Sequence, residues 1–475
     1  MKNPTEKALT EGNPAKLLRG MAIPIFIAFL LNISFNIVDT IWVGNLLGEN
    51  AVAALTVSYP LIILLNSFAM GATNGTTILI SKYLGENEKE KAQKTHVTSL
   101  VLSVFISIIL IFLCELGANK ILSLLNTPSE IFSMAKDYLK IYLVGFFFVY
   151  IYLYLSAVLR SMGNTLTQML FLLVSTIINI ILDPLFINGF WVIPAMGIRG
   201  SAFATLISQG ISVIIMIAYI LKNHLLSFDI KKFNLTFAKK IIAKSVPSAI
   251  QQSIPAISTS FITALVSAFG ITSIAAFGIA GKLEPILLYP AMALNMAITA
   301  AAGQCYGAKK DEKSKEFLHW GFIYGLGSVL ILTALITLFA KSISGLFVNS
   351  QDIGTIVFTY FLIISAGYLF HVITNCYIGM INGLGKPLGA MLIMIVYFII
   401  VRMPMAYLLS KTQLGIDGIW LAVLISHFIA MIASIICFIV FIKKRQKITA
   451  CDSSETEQNM LFEKNEDKEL GDENR

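Results

Sequence analysis

Long apolar runs, separated by short polar or glycine-containing segments, recur along almost the whole chain. Segments such as LFLLVSTIINIILDPLFI and LAVLISHFIAMIASIICFIVFI have the roughly 20 residues that a helix needs to cross a bilayer. The pattern predicts an all-α integral membrane protein with twelve transmembrane helices. Their expected bounds are 17–43, 52–79, 95–117, 137–159, 166–188, 200–221, 241–267, 274–301, 317–340, 354–379, 388–410 and 417–442.

The polar segments between the spans show an internal duplication. KYLGENEKEKAQK at 82–94 resembles QCYGAKKDEKSKE at 304–316, an offset of 222 residues, and Pro24 aligns with Pro247 at a similar offset. Each half holds an even number of spans, so both halves enter the membrane from the same side and form two pseudo-symmetric six-helix lobes, one of the layouts of secondary transporters. The predicted domains are an N-lobe (1–221), a cytoplasmic linker (222–243), a C-lobe (244–442) and a cytoplasmic tail (443–475) whose polar, acid-rich composition predicts disorder.

The charge distribution orients the chain. Of its 475 residues only 13% are charged and 56% are hydrophobic, about half the charged share of a soluble domain. With both termini placed in the cytoplasm, the inner segments hold 24 Lys and Arg and the outer segments hold 5. This is the positive-inside rule, so the net charge of +8 reflects orientation in a cell membrane and predicts no nucleic-acid partner.

Signatures of catalysis are missing from the sequence. It contains no GxxxxGK[ST], HExxH or GxSxG motif, and its five histidines and five cysteines lack metal-ligand spacing. We therefore expect no enzyme activity and no cofactor. Two six-span halves with few intramembrane charges favour a transporter that works by alternating access over a channel, which would tend to carry a filter loop or a charged ring.

Two acidic residues stand out because a charge at membrane depth costs about 2.5–3.5 kcal/mol even on a lenient scale. Asp39 ends a helical stripe with Asn32 and Asn36, and Asp183 ends a second stripe with Ser175 and Asn179. At ~1.5 Å per residue, both acids lie about 27–28 Å along outward-running spans. The two stripes are therefore expected to converge at one level.

With Thr205 of span 6, these stripes predict an oxygen-rich site for a coupling ion. Oxygen ligands suit Na⁺, and a pair of close carboxylates equally suits H⁺. The alternative is that the polar side chains only hydrogen-bond between helices. The aligned positions of the second half are apolar, which favours a specific site. The predicted coupling residues are Asp39, Asn36, Asn179, Asp183 and Thr205, and a Na⁺ ion would be held by Asp39, Asn179, Asp183 and Thr205.

Other intramembrane residues allow two interpretations each. Lys282 and Glu284 predict either an ion pair or part of a pocket for a cationic substrate, and Arg402 is a candidate structural partner of Glu284. Tyr150 and Tyr154 predict either core packing or an aromatic wall that attracts organic cations.

Several segments together resemble the MATE (multidrug and toxic compound extrusion) transporters over nearly all of 15–445. They are NIVDTIWVGNLLGENAVAAL, LRSMGNT, NIILDPLFI, GIRGSAFATLIS and the Gly85 and Gly307 loops. The resemblance implies two six-helix lobes forming a V and cation-driven export of drugs. It is closer to the DinF- and MepA-like branch, where acids like Asp39 and Asp183 and a pair like Lys282-x-Glu284 recur. NorM-type members carry acids in spans 7 and 10, where this chain has Gln251-Gln252 and an acid-free span.

The resemblance also implies that span 1 bends at Pro24, which serves as a hinge. The expected function is antiport of organic, mostly cationic amphipathic compounds against H⁺ or Na⁺ by a monomer in the plasma membrane. One rival is a lipid-linked sugar flippase, which would need a more cationic cavity than Lys282 and Arg402 provide. A membrane-embedded enzyme or a receptor is the rival of another class.

Overall fold

Twelve long helices form the fold of the computed structural model, which describes residues 9–125, 127–191, 194–223, 228–348 and 350–472, with side chains to residue 446. All twelve are long and apolar enough to cross a membrane, which confirms the predicted fold class. The bounds are α1 Pro14–Leu47, α2 Glu49–Gly85, α3 Lys89–Leu124, α4 Ser129–Ser161, α5 Thr165–Asn188, α6 Ile198–Lys222, α7 Leu235–Ser267, α8 Ile271–Gly307, α9 Asp311–Gly345, α10 Gln351–Gly383, α11 Pro387–Ser410 and α12 Ile416–Asp472.

Polar caps fix where several helices begin. The side chain of Asn13 accepts a hydrogen bond from the backbone of Lys16 at the start of α1, and Asn164 does the same for Thr167 at the start of α5. Asn234 caps α7 in the same way. Each cap satisfies backbone N–H groups that the first helical turn leaves unpaired. The three capped helices start at Pro14, Thr165 and Leu235, before the expected positions 17, 166 and 241, because each helix extends past its apolar run to the capping residue.

The duplication is visible in the backbone. Gly48 and Gly270, which precede α2 and α8, have φ of 82° and 93° with extended ψ. Asn87 and Lys309 both adopt φ near 60°, at 59° and 57°, in the turns that follow the same two helices. Residues other than glycine seldom occupy this left-handed region. Its recurrence at equivalent places of both halves supports two repeats with the same turn geometry.

Helix α1 packs against both lobes. Its first part contributes Leu18, Met21 and Ile25 to a core that consists mainly of residues from α8, α9 and α10 of the C-lobe. Its later part contributes Val43 to a core of the N-lobe. We call the end of the bundle at which α1 begins the inner end; the charge distribution predicts that it faces the cytoplasm. One helix thus links the inner half of the C-lobe to the outer half of the N-lobe.

The segments outside the two lobes differ in part from expectation. The linker 222–243 contains the short helix Ile230–Lys232, while its residues 224–227 lie outside the described residues. Helix α12 is apolar and long enough to span a membrane, and it continues to Asp472 through the tail for which disorder is predicted. Glu, Lys and Gln are frequent there and have high helix propensity. Within α11, residues Ile395–Arg402 form a π-helical segment.

Candidate functional site

Asp39 is buried in the N-lobe although it lies on an otherwise apolar helix. Its carboxylate is 4% exposed and accepts a hydrogen bond of 2.5 Å from the hydroxyl of Ser201. Ser201 stands on α6, one turn before Thr205, so both hydroxyl-bearing side chains lie on the same face. The Asn36 amide of the preceding turn donates to the Asn32 carbonyl at 2.7 Å. Helices α1 and α6 thus surround the carboxylate with oxygen atoms.

Asp183 occupies a comparable position on α5. It is fully buried and its Oδ1 accepts a hydrogen bond of 3.2 Å from the Asn179 amide, one turn earlier. Three buried oxygens on this stripe have no hydrogen-bond partner among the described residues: Asp183 Oδ2, Asn179 Oδ1 and Ser175 Oγ. Buried polar atoms are normally paired. Unpaired acceptors in a row indicate a place for a water molecule or a cation.

The structure brings the two acids together. Helix α1 packs along α5, and Asp39 is close enough to Asp183 for the two carboxylates to interact electrostatically. Two like charges in a medium of low dielectric constant repel each other, so a cation that binds between them is favoured. The two predicted stripes therefore lie on neighbouring helices, while a shared ion site and the identity of its ion stay predictions.

A cavity opens beside Asp39, with about 60 Å³ for the centres of water-sized molecules. Since one water centre needs roughly 10–15 Å³, this is room for a few waters or a partly hydrated cation. Predicted polar residues on its wall are Asn36, Asp39 and Thr205, whereas Asn179 and Asp183 lie outside the lining. No Lys or Arg lines this described cavity. Its remaining walls are formed by Asn32, Phe35, Thr40, Leu55, Tyr59, Ile62, Asn66, Tyr138, Tyr142, Val149, Leu172 and Gln209.

Sequence reasoning missed several of these residues. Ser201 supplies the hydrogen bond to Asp39, and its position four residues before Thr205 is the signal that could have identified it. Tyr138 and Tyr142 stack with ring centroids 6.1 Å apart, and the Asn66 amide donates to the Tyr142 hydroxyl at 3.3 Å. These side chains give the acidic cavity an aromatic wall. No stripe in the sequence connects α2 and α4 to α1.

The aromatic wall predicted from Tyr150 and Tyr154 is not at this cavity. Tyr154 is fully buried, and its hydroxyl lies 2.7 Å from His96 Nδ1 and donates to the His96 carbonyl at 2.8 Å. Tyr150 is 1% exposed and packs edge-on against Phe146. Both rings are buried, as the packing interpretation expects, but Tyr150 also lines a second, smaller cavity between the N-lobe and α7, beside Ile241 and Ser245. A role of these tyrosines in substrate binding stays a prediction.

Lys282 and Glu284 are also separated. Lys282 is exposed, and its ammonium lies 5.3 Å from the centroid of the Phe347 ring. Glu284 is half-buried, and its Oε1 accepts a hydrogen bond of 3.4 Å from the Tyr368 hydroxyl. The two side chains therefore make different contacts, and the structure gives no direct pair between them among the described residues.

Arg402 lies within electrostatic range of Glu284, but the two side chains form no ion pair within 4 Å among the described residues, so Arg402 as the structural partner of Glu284 stays a prediction. Its guanidinium donates hydrogen bonds of 2.9 Å to Ser426 and to the Tyr397 hydroxyl and stacks over the Tyr397 ring at 4.7 Å. Tyr397 in turn bonds His427. Arg402 thus places a positive charge within electrostatic range of Glu284 in the C-lobe, whereas no Lys or Arg lines the described cavity beside Asp39.

Pro24 lies inside α1, which continues through it from Pro14 to Leu47. Because proline lacks an N–H, the carbonyl of Gly20 loses its helical partner. The hydroxyl of Thr165, the first residue of α5, donates to the carbonyls of Gly20 at 3.4 Å and Met21 at 3.0 Å. This contact holds α1 to α5 at the proline. A hinge at Pro24 stays a prediction.

Comparison with known proteins identifies the family. The family model described as MatE matches residues 24–185 and again 247–408. The chain belongs to the MatE family. A protein named probable multidrug resistance protein YpnP from Bacillus subtilis is 29% identical over 435 residues, covering 90% of this chain and 96% of YpnP.

Other MatE relatives and structures extend this result. A protein named FAD transporter from Shewanella oneidensis is 25% identical over 422 residues, covering 88% of this chain and 93% of its own. A crystal structure of a mutant of the Vibrio cholerae MATE transporter VcmN superposes with a TM-score of 0.85 at 24% identity, covering 91% of this chain and 97% of VcmN. These matches establish a multi-pass membrane protein with the MATE fold. Neither the DinF- and MepA-like branch nor the coupling ion follows from them.

Proposed function

We propose that this MatE protein is a secondary multidrug efflux transporter that exchanges organic, mostly cationic amphipathic compounds for H⁺ or Na⁺ by alternating access. The observation that carries the proposal is the pair Asp39 and Asp183, two buried carboxylates that interact with each other beside an acidic cavity. Neither forms an ion pair with Lys or Arg within 4 Å among the described residues. Their positive partner would then be the transported ion, present for part of the cycle.

The acid pair can act as a switch between two ions. A proton or Na⁺ that binds at Asp39 and Asp183 reduces their repulsion and removes the negative charge that attracts an organic cation. Na⁺ would find the unpaired oxygens of Asn179 and Asp183 as further ligands. Exchange requires only that the coupling ion and the substrate prefer different conformations of the lobes. The coupling ion is a transported species here, so no resident cofactor is needed.

The cavity wall favours a cationic, aromatic-binding substrate class. Tyr59, Tyr138 and Tyr142 offer ring faces beside Asp39, and organic cations bind such faces. Bacillus subtilis YpnP carries the name of a multidrug resistance protein, which agrees with this class. An anionic substrate such as the FAD of the Shewanella relative, or a lipid-linked sugar phosphate, would meet an acidic wall without Lys or Arg. We therefore propose organic cations, and not anions, as the substrates of this cavity.

The charge distribution and the family support a proposal for the membrane, the orientation and the oligomeric state of the protein. We place the protein in the plasma membrane with both termini in the cytoplasm, as the excess of Lys and Arg in inner segments indicates. The described site lies within one chain, between α1, α5 and α6, so a monomer would suffice. Its partners are then the bilayer and small molecules.

Efflux from dye-loaded, right-side-out membrane vesicles tests the proposal. Asp39→Asn keeps the size of the side chain but removes its charge, and we expect loss of efflux of a fluorescent cationic dye together with loss of the response to an imposed ion gradient. Asp352→Asn, an exposed acid in the first turn of α10, is the matched control and should behave like the parent. Collapsing the H⁺ and Na⁺ gradients separately identifies the ion. Normal coupled efflux by Asp39→Asn would refute the proposal.

A further inference from the structure

The side chain of Gln304, at the inner end of α8, joins the C-lobe to two other parts of the molecule. It is 5% exposed. Its Oε1 accepts a hydrogen bond of 3.0 Å from the backbone N–H of Leu9, and its Nε2 donates one of 2.7 Å to the carbonyl of Ser161, the last residue of α4. A single C-lobe side chain thereby binds both the N-terminal segment and an N-lobe helix. A buried amide with both ends paired fixes its neighbours in one arrangement.

The segment 9–13, which we call the N-terminal strap, lies across this contact. Leu9 is fully buried in the C-lobe core. The Lys310 ammonium donates to the carbonyl of Thr10 at 3.0 Å, and the Lys313 ammonium donates to the carbonyl of Gly12 at 2.8 Å. The strap therefore joins the start of α1 to the inner loop of the C-lobe.

Two glycines bring the lobes into contact beside Gln304. A methyl group on Gly85 of α2 would lie 2.1 Å from the carbonyl oxygen of Gln304, and one on Gly307 of α8 would lie 2.2 Å from the carbonyl oxygen of Lys82. The two glycines occupy equivalent positions of the duplication, so the contact is reciprocal. Backbones at this distance leave no path between the inner ends of α2 and α8.

We infer that Gln304 and the N-terminal strap form a latch that holds the inner end closed. When a transporter opens to the inner side, its lobes must separate there, and the Gln304–Ser161 bond and the two glycine contacts join α8 to α4 and α2, which such a movement would part. The strap holds Gln304 in place from the C-lobe side. Breaking the latch removes hydrogen bonds that exist only in the closed state and so shifts the population toward the open one. The inference rests on the proposed alternating-access function, but the latch can be measured without transport.

Cys305 is a natural reporter of the latch. Its thiol is fully buried and lies 4.0 Å from the carbonyl of Leu9, directly under the strap. In the full-length chain the other four cysteines are replaced by Ala, and the protein is reconstituted into vesicles. Cys305 is then labelled with a membrane-impermeant maleimide that is applied to the membrane face at the inner end of the protein. Gln304→Met keeps the length of the side chain and removes both hydrogen bonds. We expect labelling to accelerate by about fivefold if one hydrogen bond of the closed state is lost and by about thirtyfold if both are lost.

Matched variants distinguish loss of the latch contacts from a general loss of stability. Lys313→Met removes a strap contact at the surface and should also accelerate labelling, whereas Lys315→Met, whose ammonium pairs with Glu312 instead, should not. Gly85→Ala should accelerate it because of the clash with Gln304. Gly327→Ala of α9, with nothing within 4 Å of the added methyl, is its control.

A second reporter distinguishes a loose strap from opened lobes. Ser248 of α7 is fully buried and faces α2, where its carbonyl oxygen would lie 2.3 Å from a methyl group on Gly71. Ser248→Cys in an otherwise cysteine-free chain should be labelled faster when Gln304→Met is added. Faster labelling at both sites supports the latch. Unchanged labelling of Cys305, or faster labelling of Cys305 alone, would overturn it, and absence of transport in the parent would refute only the proposed function.

Discussion

Gly200 is the contact point at which α6 meets the end of α5. A methyl group there would lie 2.5 Å from the carbonyl carbon and oxygen of Phe186 and 2.7 Å from the nitrogen of Ile187. These are backbone atoms, which cannot rotate away as a side chain can. Non-bonded heavy atoms need about 3.5 Å, so Gly200→Ala forces the two helices apart by roughly 1 Å.

This displacement acts on the proposed ion site. Ser201 follows Gly200 directly, and its hydrogen bond to Asp39 is 2.5 Å long. Moving α6 away by about 1 Å stretches this bond beyond the normal limit of about 3 Å for two oxygens. Overpacking of this kind costs about 1–3 kcal/mol of stability. We expect Gly200→Ala to lower both the stability of the protein and its ion-coupled efflux.

The duplication supplies a matched control for this variant. Gly418 occupies the equivalent position at the start of α12, and a methyl group there would lie 2.5 Å from the carbonyl oxygen of Leu409 at the end of α11. Gly418→Ala therefore creates nearly the same clash in the C-lobe, far along the chain from Asp39. Its cost in stability should be similar, within about 1 kcal/mol of that of Gly200→Ala.

Two measurements on each variant test the reasoning. Thermal unfolding of the detergent-solubilised proteins gives the stability cost, and dye efflux from vesicles at a temperature well below both midpoints gives the activity. We expect similar midpoints but a larger loss of efflux for Gly200→Ala than for Gly418→Ala. Equal efflux of the two variants would refute the argument that the α5–α6 contact positions the ion site.

Two further variants probe hydrogen bonds of the N-lobe. Thr165→Val should cost about 1–3 kcal/mol, because the carbonyl of Gly20 beside the proline then stays unpaired, while Thr165→Ser should restore most of the stability. Normal thermal unfolding of Thr165→Val would contradict this role. Tyr154→Phe removes the partner of His96 and should cost a similar amount in thermal unfolding without changing the range of exported dyes. A changed range of exported dyes would instead indicate that Tyr154 contacts the substrate.

The sequence predicts the helices well because a bilayer imposes a simple requirement. A spanning helix needs about 20 apolar residues and must satisfy its own backbone, so each span is encoded locally. The duplication is equally readable, since turns such as those at Asn87 and Lys309 repeat both in sequence and in conformation. Both features depend on short stretches of chain, which a single sequence contains in full.

The site was predicted in part for the same reason. The stripes that end in Asp39 and Asp183 follow from helical periodicity, and equal depth follows from a fixed rise per residue. Which helix faces which stripe is a tertiary question that periodicity does not answer. Ser201 and Tyr138 come from helices whose orientation around α1 is fixed only by packing. The same limit explains why periodicity alone leaves two interpretations open for Tyr154 and Lys282, and a role of either residue in substrate binding stays a prediction.

Helix α1 gives a physical reason why ion-binding acids in one lobe would suffice. Its outer half carries Asp39 against α5 and α6, and its inner half contributes Leu18 and Met21 to the C-lobe core and continues back into the strap at Leu9. A rigid helix transmits a displacement along its length, and Thr165 keeps it attached to α5 at Pro24. A change of charge at Asp39 would therefore act on the contact between the lobes through α1 itself. An equivalent acid in the C-lobe would be unnecessary for this coupling.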